Sequence, residues 1–224
     1  MAFVVTLLGG ESTGKSRLSQ ALLERLEASR LTTVLVREHL RDWCTEQGRA
    51  PFSHEQLALA REQARQIDTA ATLSGVDVVI ADTTGLMIAA YSELYFEDRS
   101  LWPETLAWQR QHADLTLLMG LDLPWVSDGF FRDSPQIRDA TDAVLRRELQ
   151  AAGMAFQTVF GQGPSRVDNA LRAIGAAMGR DLSTFDPSWS LGRRPWTCDS
   201  CSDPDCEHRL FSALLSQQNP DTAP

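Results

Sequence analysis

The sequence predicts an α/β fold: a five-stranded, mostly parallel sheet flanked by helices, followed by a small C-terminal appendage. Two observations carry that prediction. Short apolar runs rich in Val, Leu and Ile alternate with stretches whose apolar residues recur at helical spacing, the pattern of successive βαβ units. The first run, residues 3–8, leads directly into Gly9-Gly10-Glu11-Ser12-Thr13-Gly14-Lys15-Ser16, a complete match to G-x-x-x-x-G-K-[ST] at a strand-to-helix turn. That arrangement is the P-loop NTPase fold.

The elements follow in order. Leu18, Ala21, Leu22 and Leu26 fall at helical spacing after the glycine loop. Residues 32–36 (Thr-Thr-Val-Leu-Val) read as a second strand, with Glu38 just past its end. Ser53-His54-Glu55-Gln56 has the spacing of a capping box, with Gln56 reaching back to the Ser53 amide. Leu57, Ala60, Ala64, Ile67 and Ala71 then mark one face of a long helix stopped by Gly75. Residues 76–81 form a third strand ending at Asp82, and one or two helices, divided near Pro103, occupy 84–112. A fourth strand covers 115–119, after which periodicity fails from Gly120 to Ser134. Ser134-Pro135 reads as an N-cap with proline at the first helical position, and Leu145 and Leu149 carry that helix to Gly153. Residues 155–160 are the fifth strand, and Val167, Leu171, Ile174 and Met178 stripe a last helix ending at Gly179. Residues 1–179 are therefore assigned to the P-loop domain, and 180–224, where Asp, Pro, Ser and Trp dominate, to an appended tail closing on a short amphipathic helix.

Bulk properties narrow the function. The chain has 224 residues, 43% hydrophobic and 23% charged, enough for a full core and ordinary for an enzyme. Its 30 acidic residues against 21 basic ones give a formal charge of −9, which speaks against a nucleic-acid partner and for a solvated surface. No apolar run approaches the roughly 20 residues of a membrane span, and the N-terminal run lacks a basic flank or cleavage pattern. Three of the four cysteines lie between 198 and 206, a clustering that favours metal over disulfides and a cytoplasmic, reducing setting.

In parallel sheets, ligands bind beyond the C-terminal strand ends. The first four strands end at the glycine loop, at Glu38, at Asp82 and at the 120–134 segment, so all four converge on one edge. A phosphate chain must be met by several backbone amides at once, and glycines let the backbone approach it. Lys15 is expected to reach the β- and γ-phosphates of ATP, and Ser16 to give its hydroxyl to Mg2+, with the helix N-terminus adding partial positive charge. Asp82 sits where a carboxylate can hold magnesium through water; it is equally placed to cap the following helix. Glu38 can orient an acceptor hydroxyl or take its proton, or it can simply pair with Arg41 at a turn. Arg132 and Arg138 are either lid arginines that cover the transferring phosphoryl group or solvated charges. Trp125 can stack on an aromatic ring or anchor its loop. His39, His54 and His112 show no partner in the sequence.

With Asp82-Thr83 and Pro124-Trp125-Val126-Ser127-Asp128-Gly129 added to the glycine loop, residues 3–179 resemble the ribosylnicotinamide kinase domain of NadR proteins and the wider NadR-like P-loop ATPases. The resemblance implies transfer of the ATP γ-phosphate to the 5′-hydroxyl of nicotinamide riboside, a small-molecule nucleoside substrate. It also implies Glu38 and Arg41 facing the nucleoside, Trp125 near it and Arg132 in the lid. The sequence departs from the family at Thr84, where a second acidic residue is expected. The full regulators also carry a DNA-binding segment and an adenylyltransferase domain; with the phosphate loop at residue 9, neither is expected here.

The tail carries Cys198-x2-Cys201-x4-Cys206-x-His208, three thiolates and an imidazole that suit a structural Zn2+, with free thiols or a disulfide as the alternatives. The leading expectation is thus an ATP-dependent phosphotransferase. The alternative is a nucleotide-dependent ATPase switch whose zinc-stabilised tail binds a protein partner.

Overall fold

The strand before the phosphate loop, β1 (Phe3–Leu8), lies at the centre of the sheet. The computed structural model describes residues 1–126 and 134–182. After β1 come α1 (Lys15–Ala28), β2 (Thr33–Val36), α2 (His39–Gln47), a short 3-10 turn (Ser53–Glu55), α3 (Gln56–Ala71), β3 (Val78–Asp82), α4 (Gly85–Phe96) and α5 (Trp102–His112). The order continues with β4 (Leu115–Met119), α6 (Pro135–Ala151), β5 (Gln157–Val159) and α7 (Pro164–Met178). The strands lie in the order β2-β3-β1-β4-β5, and every pairing is parallel.

Both faces of the sheet are apolar, which is why its strands read as unbroken hydrophobic runs. Val5, Leu7, Val78, Ile80, Leu115, Leu117 and Met119 point to α1 and α7. Leu8 and Leu118, and Val4, Val79 and Ala81 nearer the β2 edge, point to the opposite face, where α3, α4, α5 and α6 pack. Leu86 to Ala90 of α4 are all at most 1% exposed. A helix apolar on every side belongs in the interior, and α4 lies against α3, α5 and α6.

The structure departs from the sequence reading in several places. The capping box is set one residue earlier: the Glu55 carboxylate, not Gln56, accepts a backbone N–H, that of Phe52 at 2.7 Å. Gln56 is instead buried at the start of α3. The inner face of α3 includes Leu59 and Gln63, while Leu57 and Ala64 sit at its margin. That helix ends at Ala71 with Thr72 as its C-cap, and Gly75, at φ +81°, belongs to the turn before β3. Helix α2 is absent from the sequence reading: none of its residues is fully buried, and only Leu40 and Trp43 pack on the core, too short an apolar face to stand out. The region 84–112 resolves into two helices, with Pro103 in the first turn of the second. Ser134 caps α6 as expected, its hydroxyl accepting the Ile137 amide at 3.2 Å.

Among the described residues, no helix is long and apolar enough to cross a membrane. The whole 127–133 stretch, including Arg132, and the tail from residue 183, including Cys198, Cys201, Cys206 and His208, lie outside the described residues.

Candidate functional site

The phosphate loop bridges β1 and α1 in a conformation its sequence makes possible. Gly9 at φ +145° and Gly14 at φ +80° take backbone angles that side chains resist. A Cβ on Gly9 would lie 2.9 Å from Met119 Cβ, and one on Gly10 would lie 2.8 Å from the Arg138 carbonyl oxygen. The loop is therefore wedged between β4 and the first turn of α6. Thr13 Oγ1 donates to Gly10 O at 2.7 Å, and Lys15 Nζ donates to Gly9 O and, at 3.1 Å, to Gly10 O. Gly14 gives no side-chain cap to α1, so the first amides of that helix are open to an anion. Ser16 is exposed on the same turn. Lys15 is 8% exposed. Burial lowers its pKa below the ordinary lysine value, while the negative charges of Glu38 and Asp82 oppose that shift.

Those two carboxylates arrive from neighbouring strand ends. Asp82 is the last residue of β3, in register with Leu7 of β1. It is 5% exposed, and its Oδ1 is buried with no hydrogen-bond partner among the described residues. It does not cap the next helix: Thr84 does, accepting the Leu86 amide at 3.3 Å. Thr84, the residue out of pattern with the resembled family, thus has a local structural task. Between them Thr83, β-branched, is held at φ +92°, a strain on the order of 1–3 kcal/mol of the kind that collects at functional sites.

Glu38 stands at the N-cap of α2. Arg41 Nη2 lies 3.2 Å from Glu38 Oε2 as an ion pair, yet no hydrogen bond among the described residues reaches that buried oxygen. Burial raises the Glu38 pKa, with Lys15 and then Arg41 pulling it back and Asp82 reinforcing the rise. Glu38 is therefore paired with Arg41, and its carboxylate also lies within the electrostatic reach of Lys15 and Asp82. The backbone on either side of Glu38 is held by Gln63 of α3, fully buried, which accepts the His39 amide at 2.7 Å and donates to Arg37 O at 3.2 Å. Tyr91 of α4, whose phenol is pushed well above its ordinary pKa chiefly by burial and then by the charges of Glu38 and Glu11, borders the same space.

The segment after β4 rides on the phosphate loop. The Val126 amide donates to Ser12 Oγ at 2.8 Å, and a Cβ on Gly14 would lie 3.0 Å from Leu123 Cδ1. Arg138 is tied to this segment, donating from Nη1 to Leu123 O at 2.9 Å and pairing through Nε with Asp139 at 3.3 Å. Trp125 Nε1 is buried without a partner among the described residues. Two of the histidines have partners: His112 Nδ1 lies 2.9 Å from Asp68 Oδ1, and His39 Nδ1 lies 3.4 Å from Gln66 Nε2. Gln63, Tyr91 and Arg166, which contacts the loop from α7, went unseen in the sequence. Each lies within a helix and touches the site only through folding.

A phosphate-receiving loop at the C-terminal edge of a parallel sheet, with buried carboxylates at the adjoining strand ends, defines a P-loop nucleotide-binding domain. The family model described as "AAA domain" matches residues 4–166, and the chain belongs to that family. Among solved structures, it is similar to a NadR protein in complex with NR, at TM-score 0.70 and 19% identity over 83% of this chain and 54% of that one. It is likewise similar to a NadR protein in complex with NAD and AMP-PNP, at TM-score 0.67 and 18% identity over 83% and 52%. The likeness is one of fold, and the chain spans about half the length of those NadR proteins. Among curated proteins, none matches.

Proposed function

We propose that this chain is an ATP-dependent phosphotransferase whose acceptor is the 5′-hydroxyl of nicotinamide riboside or a closely related nucleoside. One observation carries the reading: Glu38 Oε2 is buried and, although Arg41 Nη2 stands 3.2 Å away as an ion pair, accepts no hydrogen bond among the described residues, within the electrostatic field of Lys15. A buried polar oxygen without a well-directed hydrogen bond is costly, and a hydroxyl supplied by a bound acceptor reduces that cost. The shared fold and the NR and AMP-PNP bound by the two NadR proteins support the choice of ligands.

In this reading the acceptor hydroxyl donates its proton to Glu38 Oε2 as its oxygen bonds to the γ-phosphorus. The bond from that phosphorus to the bridging oxygen breaks, and ADP leaves with the electron pair. A raised carboxyl pKa makes Glu38 a better base for this transfer than an exposed glutamate. Lys15 exchanges the carbonyls of Gly9 and Gly10 for phosphate oxygens, and the amides from Gly10 to Ser16 orient the chain. The unsatisfied Oδ1 of Asp82 fits the hydration shell of a divalent cation, so Asp82 and Ser16 would hold magnesium, which would offset charge on the β- and γ-phosphates. In the same reading Trp125 and Tyr91 would border the nucleoside's ring and Arg41 its hydroxyls, while Arg138 and Arg132, the latter outside the described residues, would act from the lid side.

The test is acceptor-dependent ADP release across a panel of nucleosides and vitamins, with magnesium and ATP. Turnover stimulated by nicotinamide riboside, with the 5′-monophosphate as product, is expected. ATP hydrolysis indifferent to every acceptor would replace this reading with that of a nucleotide-dependent switch.

A further inference from the structure

Arg166, in the first turn of α7, is 4% exposed and forms four hydrogen bonds to three separate segments. Its Nη2 donates to Thr13 O of the phosphate loop at 3.0 Å and to Gly120 O, just past β4, at 3.2 Å. Its Nη1 donates to Asp122 Oδ1 at 2.9 Å and to Gly161 O, just past β5, at 2.8 Å. Asp122 closes the circuit by accepting the Gly161 amide on Oδ2 at 2.7 Å.

The placement runs against local rules. A cation at a helix N-terminus opposes the helix dipole, and a buried guanidinium costs several kcal/mol unless it is paired and hydrogen-bonded. Here the Asp122 charge and three carbonyls offset that cost, while Nε has no hydrogen-bond partner among the described residues. Where a sequence breaks a local rule in this way, a functional site is the usual reason.

The reason lies in the peptide that Arg166 grips. A trans peptide fixes its C=O and the following N–H in opposite directions. Holding Thr13 O on the α7 side therefore fixes the direction of the Gly14 N–H, one of the loop amides at the start of α1. The same guanidinium holds the root of the 120–126 segment, whose Val126 amide returns to Ser12 Oγ in the loop. We propose that Arg166 is a positioning residue that sets the Thr13–Gly14 peptide for phosphate binding, with Asp122 holding Arg166 in turn. The proposal rests on the phosphate-loop part of the reading above and not on the identity of the acceptor.

The test is titration of fluorescent mant-ATP with magnesium into wild type, Arg166→Met, Arg166→Lys and Asp122→Asn, beside a thermal melt of each and the KM for nicotinamide riboside. For Arg166→Met, nucleotide Kd should rise about tenfold, the size of one net hydrogen bond lost at the loop, with the acceptor KM within twofold. Arg166→Lys should recover only part, because one ammonium cannot span acceptors that a planar fork reaches together. Asp122→Asn should weaken nucleotide binding about threefold, following one weakened contact, and it serves as the deciding variant if Arg166→Met does not fold. A folded Arg166→Met with wild-type nucleotide affinity overturns the proposal, as does an unaffected Asp122→Asn or an equal loss for nucleotide and acceptor. A wild-type protein that binds no mant-ATP overturns the phosphotransferase reading as well.

Discussion

Gln63 brackets Glu38: its amide accepts the N–H of His39 on one side of the glutamate and donates to the carbonyl of Arg37 on the other. A side chain from α3 thus completes the turn where β2 hands over to α2, and the backbone of the presumed base cannot drift without breaking both bonds. Gln63→Leu would leave two buried backbone groups unsatisfied, at about 1–3 kcal/mol each. Urea denaturation should show a loss on the order of 2–4 kcal/mol, and kcat should fall more than nucleotide affinity does. Unchanged stability would mean that water replaces the amide.

Glu38→Gln tests the proton acceptor. Burial raises the Glu38 pKa, so the deprotonated base accumulates at higher pH than for an ordinary glutamate, and the acid limb of kcat should be displaced upward accordingly. In Glu38→Gln that limb should vanish and kcat should drop by about 10²–10⁴. Stability should follow the same titration. Between the unfolded and the raised folded pKa the folded chain binds more protons, so the contribution of Glu38 declines as pH rises through that window. The glutamine variant should lack that decline in melts taken across the acid range.

Lys15→Ala removes a contact that strengthens as charge develops on the phosphoryl oxygens. Its kcat should fall by about 10²–10³, with acceptor binding preserved. Turnover at the wild-type rate would sink the phosphate-loop assignment.

Gly10→Ala probes the wedge between loop and helix. The added Cβ would meet the Arg138 carbonyl oxygen at 2.8 Å and its Cα at 3.0 Å, both backbone atoms. Either the loop or the first turn of α6 must shift, at about 1–3 kcal/mol. Tm and nucleotide affinity should fall together; a melt matching wild type would show that α6 yields freely.

The amino-acid sequence by itself determined the sheet, the phosphate loop and the position of the acidic residues at strand ends. Unbroken apolar runs admit only strands covered on both faces, and the spacing of Gly9, Gly14, Lys15 and Ser16 is a local pattern that a short stretch of chain can express. Distance and burial are not local. Only the tertiary structure decided that Glu38 is paired with Arg41 within the electrostatic reach of Lys15, that Thr84 rather than Asp82 caps α4, and that α2 forms with only Leu40 and Trp43 packed on the core. The same holds for Gln63 and Arg166, which reach the site from positions 24 to 153 residues away along the chain. A hydrogen bond across such a separation leaves no periodic signature, because it depends on where folding brings two backbones and not on what lies next to either one.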